Sequence, residues 1–296
     1  METPRDDADA DARRALDLGR LRGALLEPAG PLQRLEGVVA TGSTNDDLAA
    51  LGPGWPAPNL LTAEEQLSGK GRLGRSWSAP LGSSLAASLF LRPSGIPDAA
   101  LGWLSLLSAV ALCRALEEFD VGARIKWPND VVVPQQDGAA LKIAGILLRL
   151  VSPGPTAQVI IGTGINVSQS AEELPVPTAT SVLLAGGRVD RESLLIAYVR
   201  RVCALVADFE ARCGNILAPG PLGEPVLHAV VASLLHTLGQ QVRAELPGGR
   251  LIYGTASGLD AQGALLLIDA QGVEHTVSAA DVVHLRRSPG ATGSYA

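Results

Sequence analysis

Lysine is scarce in this chain: three residues in 296, against twenty-one arginines. A GC-rich codon bias accounts for the scarcity, since Ala, Gly, Pro and Arg dominate. It does not account for where the three survivors stand. Lys70, Lys126 and Lys142 each lie inside a short polar motif, and a compact ammonium is not interchangeable with a planar guanidinium. These motifs are where chemistry is expected. Cysteine is equally rare. Cys113, Cys203 and Cys213 form an odd set without framework spacing, which excludes a disulfide-stapled domain and fits reduced thiols in the cytoplasm. The opening residues are charged and Ala-rich, with no basic-then-apolar leader. The most apolar helical stretch, Leu101–Leu116, is broken by Gly102 and polar residues and reads as too short for a bilayer span. Excess positive charge is missing too. A net charge of −6 argues against a general nucleic-acid binder, which needs a basic surface.

What remains is 47% apolar, enough for one large domain with a small one attached. Residues 1–15 read as a disordered arm and residues 288–296 as a disordered tail. Residues 16–238 read as a mixed α/β body and residues 239–287 as an all-β cap. In the body, Asn45–Leu51 predicts a helix capped by Ser43 or Thr44. Strands are predicted over Leu60–Ala63, Ser84–Leu91, Arg124–Trp127, Val131–Val133, Lys142–Val151 and Gln158–Val167. The Gln135–Gly138 turn makes one pair of them a hairpin. Helices are predicted over Leu101–Phe119, Arg191–Cys213 and Glu224–Leu238. After Gly239 come five short strands, Gln241–Leu246, Leu251–Gly258, Ala264–Asp269, Glu274–Ser278 and Val282–Leu285. Turns rich in Gly and Asp separate them, the pattern of a small barrel.

Four polar clusters interrupt the body. Gly69-Lys70-Gly71-Arg72-Leu73-Gly74-Arg75-Ser76-Trp77 alternates glycine with cations; glycines let backbone N–H groups approach an anion and the cations neutralise it. The lysine precedes most of the glycines, so this is not a Walker A loop. An exposed turn with solvated charges is the structural alternative, and Trp77 is either core or an aromatic wall for a ligand. Lys126-Trp127-Pro128-Asn129-Asp130 lies between two apolar strands, with Asp130 able to hold Mg²⁺ through one oxygen and an Asx turn as the alternative. Gly162-Thr163-Gly164-Ile165-Asn166-Val167 ends another strand, where Asn166 offers a paired donor and acceptor. Thr41-Gly42-Ser43-Thr44-Asn45-Asp46 places hydroxyls and an amide at a helix start, as a cap or as ligand-binding groups.

Together these clusters resemble the biotin protein ligases in order and spacing: Ser43-Thr44-Asn45, Glu64-Glu65-Gln66 before the basic loop, Lys126–Asp130, Lys142-Ile143-Ala144-Gly145-Ile146-Leu147, and Gly162–Asn166. The resemblance covers roughly residues 35–287, and Leu238 to Arg286 resembles that family's SH3-like domain. It implies an α+β fold: a mixed-sheet catalytic domain like the class II synthetase-like biotin/lipoate ligases, plus a small SH3-like β-barrel. It implies that Ser43, Thr44 and Gln66, with Asn45 beside them, bind the ureido ring of biotin. Arg72 and Lys142 match cations on the carboxylate and the adenylate phosphate, within the loop residues Gly69, Lys70, Gly71, Gly74 and Arg75. Lys126, Asn129 and Asp130 match the nucleotide phosphate and metal region, Asn166 and Trp77 the adenine side, and Gly145 backbone close to the ligand. Lys70 departs from the family, which usually carries arginine there; the charge is kept and the bidentate fork is lost.

The implied reaction uses ATP and Mg²⁺ to turn biotin into biotinyl-AMP. Biotin then passes to a lysine of a biotin carboxyl carrier domain of an acyl-CoA carboxylase. Two anions must meet in the first step, which is why cations converge. No enzyme nucleophile is required. The alternatives are a lipoate or octanoate ligase of related fold and a non-catalytic biotin-sensing regulator. No DNA-binding domain is expected before the body, and no sequence-specific DNA binding.

Overall fold

All eight residues of Ser84–Leu91 are buried, and a strand sealed on both faces belongs inside a sheet rather than at its rim. The computed structural model places it so; it describes residues 13–220, 223–246, 249–278 and the backbone of 281–284, and of Leu73 the backbone alone. In chain order the elements are α1 (Leu18–Leu25), β1 (Arg34–Thr41), α2 (Thr44–Leu51), β2 (Asn59–Gln66), β3 (Gly69–Lys70), β4 (Ser76–Trp77), β5 (Ser84–Leu91), α3 (Trp103–Glu117), β6 (Arg124–Lys126), β7 (Asp130–Pro134), β8 (Ala140–Ser152), β9 (Gln158–Asn166), α4 (Arg191–Ala211), α5 (Leu227–Leu234), β10 (Gln241–Glu245), β11 (Leu251–Leu259), β12 (Leu265–Ile268), β13 (Glu274–Val277) and β14 (Asp281–His284). Seven strands make one mixed sheet in the order β1-β2-β5-β9-β8-β7-β6. Only β1 and β2 run parallel; the other pairs are antiparallel.

Alternation along the strands divides the apolar residues between two faces. Leu60, Leu89 and Ile161 join the main core with α3 and α4. Leu61, Phe90 and Ile160, one residue out of phase, meet Leu48 of α2 on the opposite face. Asp98–Glu117, which includes α3, has the length and apolarity of a membrane span, so the sequence reading of this stretch as too short is corrected. Its apolar residues are spent elsewhere: Trp103, Leu104, Leu107 and Leu112 are wholly buried in the main core.

Four elements were not foreseen: α1, β1 and the two-residue strands β3 and β4 of the basic loop. In α1, Asp17 caps the first turn by accepting from Arg20 N–H, and only Leu21 and Leu25 are buried. β1 holds the sheet edge, with three consecutive exposed residues at 38–40. Residues 1–12 of the expected disordered arm lie outside the described residues, as does the expected tail at 288–296. Arg13, the first described residue, is bound: it pairs with Glu173 at 2.7 Å. Leu16 N–H donates to Glu64 Oε1 at 2.6 Å, and Arg191 clamps the other oxygen of Glu64 at 2.8 Å. Glu64, part of the Glu-x-Gln pattern, therefore ties the N-terminal segment to the sheet. The predicted helix over Glu224–Leu238 is shortened to Leu227–Leu234, because the chain then extends so that Leu235 can bridge Ile125 and His236 N–H can bond Ile125 O.

Strands β10–β14 form a separate antiparallel sheet in the order β13-β12-β11-β10-β14, the small SH3-like domain. Two buried tryptophans of the body hold its turn at 260–263. Trp103 Nε1 donates to Ala261 O at 2.9 Å, and Trp127 Nε1 donates to Gly263 O at 3.0 Å. Trp127 N–H also donates to the fully buried Thr237 hydroxyl at 2.9 Å. Thr237→Val keeps the shape and strands that N–H. It is expected to destabilise the fold by about 1–3 kcal/mol, the cost of an unsatisfied buried donor, measured as a lower denaturant midpoint.

Candidate active site

The floor of the site is centred on glycine backbone. In register across the sheet lie Asp130 of β7, Gly145 of β8, Gly164 of β9 and Ala86 of β5. The neighbouring row holds Leu147, Gly162 and Ser88. Space over Gly162 and Gly164 is filled from above. A Cβ at Gly162 would stand 2.2 Å from Asn45 Oδ1, and one at Gly164 2.4 Å from the Trp77 ring. These two glycines exist for close approach, and the amide and the indole rest directly on backbone.

The start of α2 builds one end. Ser43 occupies the N-cap position but its hydroxyl makes no cap hydrogen bond, which leaves it to the cleft. Gln66 Oε1 accepts from Thr44 N–H at 2.9 Å and from Thr44 Oγ1 at 3.1 Å, so its amide nitrogen is turned outward as a donor. Asn45 donates to Leu147 O at 3.2 Å, and its Oδ1 lies 2.6 Å from Ser88 Oγ. All these groups are held before any ligand arrives.

Lys142 dominates the other end. Residues three apart on a regular strand point to opposite faces, yet Lys142 Nζ would lie 3.2 Å from a Cβ on Gly145. Val131 and Val132 pair with Ala144 and Lys142 respectively, so β8 carries one extra residue, Ile143, and this bulge turns Lys142 onto the site face. Backbone bonds to Thr178 O and from Thr180 N–H fix it there. Lys142 Nζ sits 2.7 Å from Asp130 Oδ1 and 5.8 Å from the Trp77 ring centroid, within range for a cation–π contact. Trp77 Nε1 is buried and has no hydrogen-bond partner. Asn129 holds β8 by donating to Ile146 O at 2.7 Å.

The basic loop forms the wall. It is a hairpin in which Gly69 pairs with Trp77 and Lys70 with Ser76. A 3-10 turn, Arg72–Gly74, makes its tip, and Gly74 takes the left-handed φ of 75° that the turn needs. Lys70 Nζ meets Asp46 Oδ2 at 2.6 Å, and Arg149 meets the other oxygen of Asp46 at 2.8 Å. The Asp46 carboxyl is held below its usual range, above all by the hydrogen bond from Lys70; desolvation opposes this, and Arg149 adds a smaller lowering.

Ser43, Thr44, Asn45, Gln66, Lys70, Gly71, Arg72, Arg75, Trp77, Asn129, Asp130, Lys142 and Gly145 all line one cleft of about 690 Å³, including its open mouth. Gly69 and Gly74 shape the hairpin from outside that lining. Lys126 does not reach it either; with Arg124 it faces His236, whose pKa is lowered first by burial and then by these two charges. Asn166 lies away from the cleft, its amide donating to Thr180 O at 2.9 Å and accepting from Gln169 at 3.1 Å. Ser76, Ile146, Leu147, Gly162, Thr163 and Gly164 line the cleft as well; each lies inside a motif quoted from the sequence, though none is among the candidate site residues. No thiol serves the site. Burial pushes Cys113 and Cys203 up to about 12, and Cys213 lies just beyond α4 in a turn rather than on the predicted helix.

Among the described residues no three His, Cys, Asp or Glu side chains gather as a metal site. A single carboxylate, Asp130, faces the cleft beside Lys142. That fits Mg²⁺ arriving with a nucleotide, whose phosphates and waters supply most ligands, and does not fit a metal held by the protein alone.

Residues 40–166 match the family model described as "Biotin/lipoate A/B protein ligase family", and residues 237–285 match "Biotin protein ligase C terminal domain". The chain is 37% identical over 283 residues to Biotin--[acetyl-CoA-carboxylase] ligase of Mycobacterium tuberculosis, covering 93% of this chain and 97% of the relative. It is 34% identical over 209 residues to the bifunctional ligase/repressor BirA of Escherichia coli, covering 69% of this chain and 60% of the relative. Among solved structures, a biotin protein ligase from Aquifex aeolicus in complex with biotin and ATP superposes with a TM-score of 0.67 at 25% identity, over 86% of this chain and 100% of that one. The chain belongs to the biotin protein ligase family.

Proposed function

We propose that this chain activates biotin with ATP to biotinyl-AMP and transfers it to a lysine of a biotin carboxyl carrier domain of an acyl-CoA carboxylase, in the cytoplasm. The observation that carries this is the division of one cleft into two chemistries. The Ser43 hydroxyl beside the pre-bonded Thr44 and Gln66 makes a polar set that suits a ureido ring. Lys142 with Asp130 stands at the other end of the glycine floor, and Arg72 adds a cation from the hairpin wall, where a carboxylate and a phosphate must be joined. In the first step a biotin carboxylate oxygen attacks the α-phosphorus and pyrophosphate leaves. In the second, the carrier amine attacks the acyl carbon and AMP leaves. Lys142 offsets the repulsion between the two anions in the first step. Asp130 would share Mg²⁺ with the nucleotide, and the metal would screen phosphate charge.

Incubation with α-labelled ATP, Mg²⁺ and either biotin or octanoate tests the reading. Biotin alone is expected to yield an acyl-AMP; an adenylate from octanoate and none from biotin would assign the chain to the lipoyl branch. No adenylate from either would leave a biotin-sensing regulator.

Gly162→Ala probes the polar end. Its Cβ would stand 2.2 Å from Asn45 Oδ1, so the amide must leave both Ser88 and Leu147 O. The expected cost is about 1–3 kcal/mol for the groups left unpaired, seen as weaker biotin binding in calorimetry alongside a lowered unfolding midpoint. Unchanged biotin affinity would separate Asn45 from the acid site.

A further inference from the structure

Asp46 is adjacent to the ligand-facing start of α2, yet it does not line the cleft. Its two oxygens divide between Lys70, the first cation of the hairpin, and Arg149 of β8, which lies beyond the floor residue Leu147. The three side chains are 41%, 59% and 46% exposed for Asp46, Lys70 and Arg149, so water screens the pairs and each is readily exchanged. Lys70 lines the cleft, but its ammonium is engaged by a carboxylate of the protein. An acid entering the cleft meets a cation that already has an anion. Arg149 gives Asp46 a second partner, so release of Lys70 does not leave that carboxylate without one.

We infer that Asp46 is a positioning residue: it parks Lys70 while the cleft is empty and surrenders it to the carboxylate of the incoming acid, with Arg149 as the counter-ion that makes the exchange reversible. The inference rests on the reading of the site as a biotin-activating one. Lys70 suits such an exchange better than arginine, because a point charge on a flexible stem gives up a carboxylate without breaking a two-bond fork. Binding of the acid is then a competition between two carboxylates for one ammonium. Weakening the resident one strengthens the arriving one.

The test is a double-mutant cycle on biotin affinity, measured by calorimetry on the full chain. Asp46→Asn is expected to tighten biotin binding about threefold, the scale of an exposed ion pair. The same change in a Lys70→Met background is expected to have no effect, since there is nothing left to park. Arg149→Met, which leaves Lys70 as the sole partner of Asp46, is expected to shift affinity the opposite way. Equal effects of Asp46→Asn in both backgrounds, or weaker binding in the Lys70 background, would overturn the inference. Trypsin cleavage after Arg72 in the ligand-free enzyme gives a readout that needs no biotin: faster in Asp46→Asn than in the unaltered protein, and unaffected by Asp46→Asn once Lys70 is methionine. If the protein forms no biotinyl-AMP but the cleavage pattern holds, the functional reading fails and the latch stands. If adenylation proceeds and cleavage is unmoved by Asp46→Asn, the latch fails alone.

Discussion

Lys142→Met slows adenylate formation by about 10²-fold or more, the order expected for one preorganised electrostatic contact, while transfer from pre-formed biotinyl-AMP slows much less. Methionine keeps much of the stem and removes the charge that lies 2.7 Å from Asp130. The bulge that aims this side chain is set by backbone bonds to Thr178 and from Thr180, so the fold survives the change. Asp130 keeps enough contact with water, at 21% side-chain exposure, to tolerate the loss of its partner. The asymmetry between the half-reactions follows from charge. Two anions approach each other only in the first step; in the second a neutral amine attacks a carbonyl already joined to phosphate. Measuring the two half-reactions separately, with thermal unfolding as control, checks this. A near-normal adenylation rate would remove Lys142 from the catalytic residues.

Arg72→Gly acts on retention rather than formation. Arg72 stands at the tip of the hairpin wall and lines the cleft, where a guanidinium can hold a phosphate by two bonds. Losing a charged hydrogen-bonding partner is worth roughly 1.5–3 kcal/mol, so release of biotinyl-AMP is expected to be about 10- to 100-fold faster. The released anhydride then reacts with whatever amine it meets. Biotin on an unrelated bystander protein, mixed with enzyme, biotin and ATP, is the observable. Labelling confined to the carrier would show that other groups retain the intermediate.

Much of this architecture is legible because turn chemistry and periodicity agree. Ser84–Leu91 was read to the residue, and the five strands of the small domain followed from the Gly and Asp turns between them. The same logic fails where elements are short or glycine-bearing. The helix Leu18–Leu25 contains Gly19 and Gly23 and buries only two leucines, too little period to register. Arg34–Thr41 is an edge strand with Gly37 inside it and exposed residues in succession, so its alternation is blurred. At the site, residue identities were readable and their assembly was not. That Lys142 and Gly145 share a face depends on a bulge within β8 itself, which only its pairing with β7 reveals. That Asp46 bridges Lys70 and Arg149 depends on three segments meeting, and no local pattern encodes it. Asn166 has the chemistry of a base reader, but the Thr180 carbonyl and Gln169 occupy its amide.

The two lysines lining the cleft bear on where the activated acid goes. A mixed anhydride acylates any nearby amine that offers a lone pair. Lys70 and Lys142 are the nearest such nitrogens, and each is in ion-pair contact with a carboxylate, Asp46 or Asp130. Twenty-one of the remaining cationic side chains are guanidinium groups, which stay protonated. The cleft lining carries two lysines and two arginines, so few amines stand beside a bound anhydride to compete with the carrier's lysine.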